Sequence, residues 1–254
     1  MNVPKVLPVK EPDNVKAKPH HPHLPQVGVG VPGGGSLLLL ISPVKTGKST
    51  LISNLLLNDN FYGQEFFDDA VIISNTIAND VTSRFLREAY DVEDHYDDSI
   101  IDSIVEHQKS FDKEDQPQMA LVLDDCLGSI KREARINHLA SRFRHYNIKL
   151  LLMSSQKFRG SVSPIVRANA TDVIIGSPFP NQRELLAVAD EYGDLFSGPD
   201  NWMKLYKKCT PNKYDFCYMD LQSNPPKMYR NFESLIATGG VKDKNEDLIS
   251  DDTK

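Results

Sequence analysis

The sequence predicts an α/β fold with a mainly parallel central sheet flanked by helices. Two observations point there. Continuous apolar runs recur at residues 37–41, 70–73, 119–123, 150–153 and 173–175, and such runs mark strands that are buried on both faces. Between them lie segments whose apolar residues recur at helical spacing, so strands alternate with helices. A chain of that pattern builds a parallel sheet with its sites at the strands' C-terminal ends.

Length and composition set bounds. At 254 residues, 40% apolar and 25% charged, the chain suits one fairly large soluble domain. No apolar run approaches the roughly 20 residues that span a bilayer, and residues 1–35 lack the apolar stretch of a signal peptide, so an intracellular protein is expected. Cys126, Cys209 and Cys217 form neither a C-x-x-C pair nor a disulfide framework, as suits a reducing compartment. Cys126 reads as a small packed residue. A net charge of −6 does not suggest nucleic-acid binding. Its distribution says more: residues 88–115 carry eleven Asp or Glu against two Lys, and residues 131–167 carry nine Lys or Arg against Glu133 alone. The chain is electrostatically polarised along its sequence.

Taken in order, residues 1–35 hold seven of the 16 prolines and end in a Gly-rich stretch, so they read as an extended arm that cannot fold alone. Its histidines, His20, His21 and His23, lack acidic or cysteine company and read as linker rather than metal ligands. The strand at 37–41 runs into a loop and then a helix over 51–57. A second strand covers 70–74, a helix 80–90, and a further helix lies in the acidic stretch 91–115. The third strand, from residue 119, ends in Asp124 and Asp125. Residues 132–145 read as one helix, with Ile136, Leu139, Ala140 and Phe143 on one face and Arg135, His138, Arg142 and His145 on another. A fourth strand, 149–156, ends in a polar tip, and a fifth covers 172–176. Beyond Pro180 a helix is predicted to Tyr192, then short strands at 202–207 and 216–220 around Thr210, Pro211 and Asn212. The polar stretch 239–254 reads as a disordered tail, which leaves 36–238 as the folded domain.

The chemistry lies where the first strand ends. Ser42, Pro43, Val44, Lys45, Thr46, Gly47, Lys48 and Ser49, followed by Thr50, match the phosphate-binding pattern G-x-x-x-x-G-K-[S/T] except at Ser42, where glycine is usual. Such a loop aims backbone N–H groups at a phosphate while the next helix adds its positive end. Lys48 would reach the β- and γ-phosphates of a nucleoside triphosphate, and the Ser49 hydroxyl would enter the shell of Mg²⁺. The small Ser42 can stand in for glycine. The expected partner is a carboxylate at the end of another apolar strand, and Asp124 takes that role toward Mg²⁺. Asp125 follows where hydrolytic enzymes of this kind usually carry a Glu that polarises the attacking water, and it is one methylene shorter. If the fourth strand lies between the first and third, Gln156 at its tip points at the γ-phosphate or that water. A hydrolytic motor also needs an arginine from a neighbour; Arg142, Arg144, Arg159 and Arg167 are the candidates. Arg167 comes first, because Ser163 and Pro164 can start a short helix that presents it at an edge, and Arg144 second.

In this order, the 42–49 loop, Leu121 to Asp125, Arg144-His145-Tyr146-Asn147-Ile148, Ser154-Ser155-Gln156 and Ile165-Val166-Arg167-Ala168-Asn169 resemble the FtsK/HerA superfamily. Within it, the chain looks like the genome-packaging ATPases of poxvirus-type large DNA viruses and of virophage- or polinton-like elements. The resemblance covers about residues 37–176. It implies a P-loop NTPase of RecA/ASCE-like fold, with ATP and Mg²⁺ as cofactors. It also implies a homo-oligomeric ring, commonly hexameric, that moves double-stranded DNA through its centre, and a capsid vertex or portal as partner. Host cytoplasm or a virus factory would be its place, with association with the virion as the further location the resemblance implies. Asp172 and Val173 stand where some relatives carry an arginine. The basic stretch 131–167 could then track phosphates without reading sequence, with the acidic stretch facing outward.

Two other functions fit the phosphate loop. A nucleoside or nucleotide kinase should carry an arginine-rich lid, and residues 181–200 do not look like one. A nucleotide-binding assembly scaffold with little hydrolysis would tolerate Asp125 in place of Glu.

Overall fold

The computed structural model describes residues 21, 23–28, 33–76, 84–131 and 133–240. In chain order, β1 (Ser36–Ile41) leads through the 42–47 loop into α1 (Lys48–Leu57), followed by β2 (Asp69–Ser74), α2 (Arg84–Ala89), β3 (Asp91–Glu93) and α3 (Asp98–Lys109). The chain then forms β4 (Met119–Asp124), α4 (Arg135–Leu139), β5 (Ile148–Ser155), α5 (Pro164–Asn169) and β6 (Asp172–Gly176). It closes with α6 (Gln182–Tyr192), α7 (Pro199–Cys209), β7 (Phe216–Asp220), β8 (Lys227–Arg230) and β9 (Ser234–Thr238).

The nine strands of the described residues make one sheet, in the order β3-β2-β4-β5-β1-β6-β7-β8-β9. The pairings from β3 to β6 are parallel, and those from β6 to β9 are antiparallel. The sheet is therefore mainly parallel at its centre, and β5 lies between β1 and β4 as the chemistry of Gln156 requires. Because side chains alternate along a strand, each central strand feeds both layers of core. Leu37, Leu39 and Ile41 of β1 join Leu151 and Met153 of β5 on the face covered by Ile101, Ile136, Phe143 and Trp202. Leu38, Leu40, Leu150 and Leu152 face Ile52, Leu55, Leu56 and Tyr62 on the other. Each such fully buried leucine is worth on the order of 2 kcal/mol of apolar burial, so truncating Leu39 to Ala costs about 2–5 kcal/mol.

Several elements differ from the sequence reading. The expected strand at 202–207 is the middle of α7: Pro199 sits in its first turn, and Trp202, Leu205, Tyr206 and Cys209 bury one helical face. The expected single helix over 132–145 is two pieces, α4 and a 3₁₀ turn at Phe143–Tyr146, separated by Arg142 at φ −130° and closed by Asn147 in the left-handed region. The predicted apolar face survives this break, because Ile136, Leu139, Ala140 and Phe143 are all buried. Of the helix expected over 80–90, residues 80–83 lie outside the described residues. The acidic helix forms as α3, capped by the Asp97 carboxylate accepting from Ser99 N. The strands β3, β8 and β9 were not foreseen.

The described part of the proline-rich segment does not stand apart as an arm. Leu24 and Val27 are buried in the second core layer, and the Tyr62 hydroxyl donates to Pro25 O at 2.6 Å. His21 and His23 pack against Phe61, Phe232 and Tyr229, and burial lowers the pKa of His21. At the other end, Gly239 N donates to Pro226 O at 2.7 Å, so the body reaches past Thr238. Residues 1–20 and 241–254, and with them most of the arm and tail expected from the sequence, lie outside the described residues.

Candidate nucleotide site

The 42–47 loop closes on itself. Ser42 N donates to Ser155 O at 3.0 Å, carrying the β1–β5 ladder one residue further. The Thr46 hydroxyl donates to Pro43 O at 2.6 Å and accepts from the Ser42 hydroxyl. Lys45 (φ 62°) and Gly47 (φ 95°) both turn through the left-handed region, which is why glycine is wanted at 47. The irregular Ser42 also finds its reason. A Cβ placed on Gly176 of β6 would lie 1.9 Å from Ser42 Oγ, so the loop serine occupies space that a strand glycine vacates.

Lys48, buried at the start of α1, folds back over this loop. Its ammonium donates to Ser42 O at 3.0 Å and Pro43 O at 3.4 Å, and pairs with Asp125 at 3.3 Å. The first turn of α1 carries no acidic residue and no side-chain cap. Its N–H groups and helix dipole are thus available to an anion.

Asp124 is the middle of a polar row across three strands. The sheet register sets Ser74 of β2 and Ser154 of β5 directly beside it. The Ser154 hydroxyl donates to one carboxylate oxygen at 2.5 Å and Ser74 to the other at 3.2 Å. Burial raises the pKa of Asp124, while these donors and Lys48 pull it back. Asp125 follows at φ 52°, a left-handed conformation that Asp tolerates better than most residues. That twist sends its carboxylate back to Lys48, and Gln156 Nε2 donates to the same oxygen at 3.3 Å. Cys126 is buried, its thiol pushed up to about 12 chiefly by burial, as suits a packed residue. The oxygen-only donor set of Ser49 and Asp124 fits Mg²⁺, a hard cation that shares its shell with phosphate oxygens and water. Among the described residues no cluster of three or more His, Cys, Asp or Glu offers a metal a complete protein cage.

Lys48, Asp125 and Gln156 line a cleft of about 960 Å³ together with Ser42, the rest of residues 44–51, Asn54, Thr76 and Gly176. Sequence reasoning missed Ser74, Ser154 and Gly176, although all three sit at strand ends beside recognised residues. It also missed the far wall, Tyr214, Asp215 and Phe216, which no motif announces.

The two favoured arginines are engaged within the chain. The helix α5 does begin at Pro164 with Ser163 as its cap. The Arg167 side chain, however, is only 13% exposed, ion-paired with Glu191 at 3.1 Å, bonded to Val162 O at 2.7 Å and set against the Phe158 ring. Arg144 donates to Gly35 O at 3.0 Å and stacks on Phe143, which places it at the opposite end of β1 from the phosphate loop. The wider charge pattern is corrected in the same way. The acidic and basic stretches meet where Arg135 pairs with Asp102 at 3.3 Å, and Arg159 pairs with Asp190, which lies outside the acidic stretch. Lys149 is buried near Gly34 O.

Strand order, loop and acidic strand define the fold of a P-loop NTPase. No family model matches the chain. An uncharacterised protein of Invertebrate iridescent virus 6, 075L, is 29% identical over 146 residues, which are 56% of this chain and 54% of that protein; the chain spans about half the length of that relative. Two solved structures share the architecture. The DNA-packaging ATPase B204 of Sulfolobus turreted icosahedral virus superposes with a TM-score of 0.57 at 16% identity, over 77% of this chain and 97% of that one. The genome-packaging NTPase B204 of Sulfolobus turreted icosahedral virus 2, in complex with ATP-gammaS, gives 0.53 at 18%, over 78% and 98%. The chain shares the fold of these two ATPases.

Proposed function

We propose that the protein is an ATP-driven motor that moves double-stranded DNA, packaging a viral genome into a capsid. The observation that carries this is the composite site. Lys48 and Gln156 converge on Asp125, beside an Asp124 held by Ser74 and Ser154, and solved structures of the same architecture include packaging ATPases, one of them in complex with an ATP analogue. On this reading Lys48 leaves Asp125 for the β- and γ-phosphates when ATP binds. Asp125 is thereby freed to accept a proton from the attacking water, which Gln156 orients. Ser49 and Asp124 would hold Mg²⁺, which would supply charge neutralisation at the phosphates. Asp125 stays the base despite its shorter side chain because the left-handed backbone brings it to Lys48.

Assembly into a ring supplies an arginine from a neighbour. Arg142 is exposed; Arg159, exposed but paired with Asp190, and Arg144 and Arg167 would first have to leave their partners within the chain. Among the described residues, exposed Lys131, Arg142 and Lys157 are cations of the basic stretch available to DNA phosphates. The capsid vertex or portal is the partner, and the infected cell's cytoplasm or virus factory the place of work. Among the described residues no helix is long and apolar enough to cross a membrane.

The test is phosphate release from ATP with and without long double-stranded DNA. DNA should stimulate turnover, and Asp125→Asn should keep ATP binding while losing hydrolysis. Transfer of phosphate to a nucleoside would make the protein a kinase, and undiminished hydrolysis in Asp125→Asn would remove the base from the mechanism.

A further inference from the structure

The phosphate chemistry leaves one wall of the cleft unused. Residues 214–216, where the chain enters β7, line the cleft together with Thr50 and Asn54 of α1. Tyr214 is 57% exposed and Val44 60%, the two most exposed large apolar side chains among the described residues, and both line this cleft. The Tyr214 ring lies against the phosphate loop: a Cβ added to Gly47 would sit 3.7 Å from its Cδ1.

The ring is held there at a cost. Tyr214 has φ 74°, a conformation in which a bulky residue is an outlier and which persists only where the surroundings over-determine it. The surroundings do so. Tyr214 N donates to Ser177 O at 3.3 Å, and the next residue, Asp215, is a buried anchor. Its carboxylate accepts from Asn212 N at 2.9 Å and Asn231 Nδ2 at 3.4 Å and pairs with Arg230 at 3.1 Å. Lys213 Nζ lies 4.7 Å from the ring centroid and covers at most one of its two faces. An exposed aromatic ring, fixed in strained backbone at the mouth of a phosphate cleft, is arranged for a flat partner.

We propose that Tyr214 is the platform on which the base of the bound nucleotide stacks, with Val44 as a second apolar contact. This rests on residues 42–49 being a phosphate site and adds what that loop cannot supply, a preference for a nucleotide over bare polyphosphate. Every base has a π-face, so stacking favours purine over pyrimidine by area and discriminates little between purines.

Calorimetric titration of the full chain and its Tyr214→Ala and Tyr214→Phe variants with AMPPCP, its cytidine counterpart and tripolyphosphate tests this. Tyr214→Ala should weaken AMPPCP binding about tenfold or more, the size one base–aromatic stack carries. It should weaken the cytidine analogue less and leave tripolyphosphate unchanged, while Tyr214→Phe binds like the wild type. Unchanged AMPPCP affinity in Tyr214→Ala, or a parallel loss of tripolyphosphate affinity, overturns the stacking role and leaves the phosphate site standing. A wild type that binds neither AMPPCP nor tripolyphosphate overturns both.

Discussion

Asp124 and Asp172 are both strand carboxylates, both buried, and both shifted upward in pKa by burial, yet they serve opposite ends of the sheet. Asp124 ends β4, with one hydroxyl on each oxygen and its neighbour Asp125 lining the cleft. Asp172 begins β6, at the end of the sheet away from the phosphate loop, and takes four neutral donors: Ser36 at 2.6 Å, Tyr218 at 2.7 Å, Thr171 at 2.8 Å and Gln222 at 3.0 Å. The difference teaches what a buried acid is for. Four neutral donors that tie β1, β6, β7 and the turn after β7 to one side chain leave no room for a ligand, so Asp172 organises the fold. Asp124 has two donors, and its neighbour Asp125 lines the cleft, so Asp124 keeps the accepting capacity that its proposed role toward Mg²⁺ would need.

Substitutions can separate the two ends. The largest effect is expected from Lys48→Ala, which should lower ATP turnover by 10²-fold or more, the size typical of losing one charge-stabilising group. Its thermal unfolding should be close to wild type, because Lys48 works over the loop and not in the core. Asp172→Ala should show the reverse: by orphaning buried donors it should cost on the order of 3 kcal/mol in chemical denaturation, with turnover per folded molecule retained. Equal loss of turnover in both variants would erase the distinction. Ser154→Ala should sharpen it, raising the Mg²⁺ concentration needed for half-maximal turnover about tenfold with a stability cost near 1 kcal/mol.

The smallest effect is in pH. The folded-state pKa of Asp172 lies above its unfolded value, so the folded protein holds that proton more tightly. Its stabilising effect is full below about pH 3.9 and is lost as pH rises through the raised pKa. The stability of the wild type relative to Asp172→Asn should therefore fall with rising pH over that window and then level off. Asp124, present in both proteins, cancels from the difference.

The parts of this molecule legible in its sequence are those where one residue type can do one thing. Leu37 to Ile41, the Gly47-Lys48-Ser49 turn and Asp124 carry their meaning locally, since a buried parallel strand and a phosphate loop both follow from short patterns. The helix α7 was misread because Trp202, Tyr206 and Cys209 are good strand residues taken singly, and tertiary packing of their shared helical face overrides that preference. Arg167 was misjudged for a related reason: its partners Glu191 and Phe158 lie far along the chain or on another element, and no local pattern shows that a cation is already neutralised. Ser74 and Ser154 became visible only through the register that sets them beside Asp124. Residues 214–216 enter the cleft only because β7 runs antiparallel to β6.

The match between Ser42 and Gly176 has a consequence for how this loop can change. The two positions share one methyl-sized space, so they form an epistatic pair with a fixed order of events. A side chain at 176 is admissible only after 42 has lost its own. Ser42→Gly should be tolerated first, Gly176→Ala should be rejected in the present background, and the double change should recover what the second alone loses. Chains of this fold with a serine opening the phosphate loop should carry glycine at the facing position of β6, and those with glycine in the loop should be free to vary there.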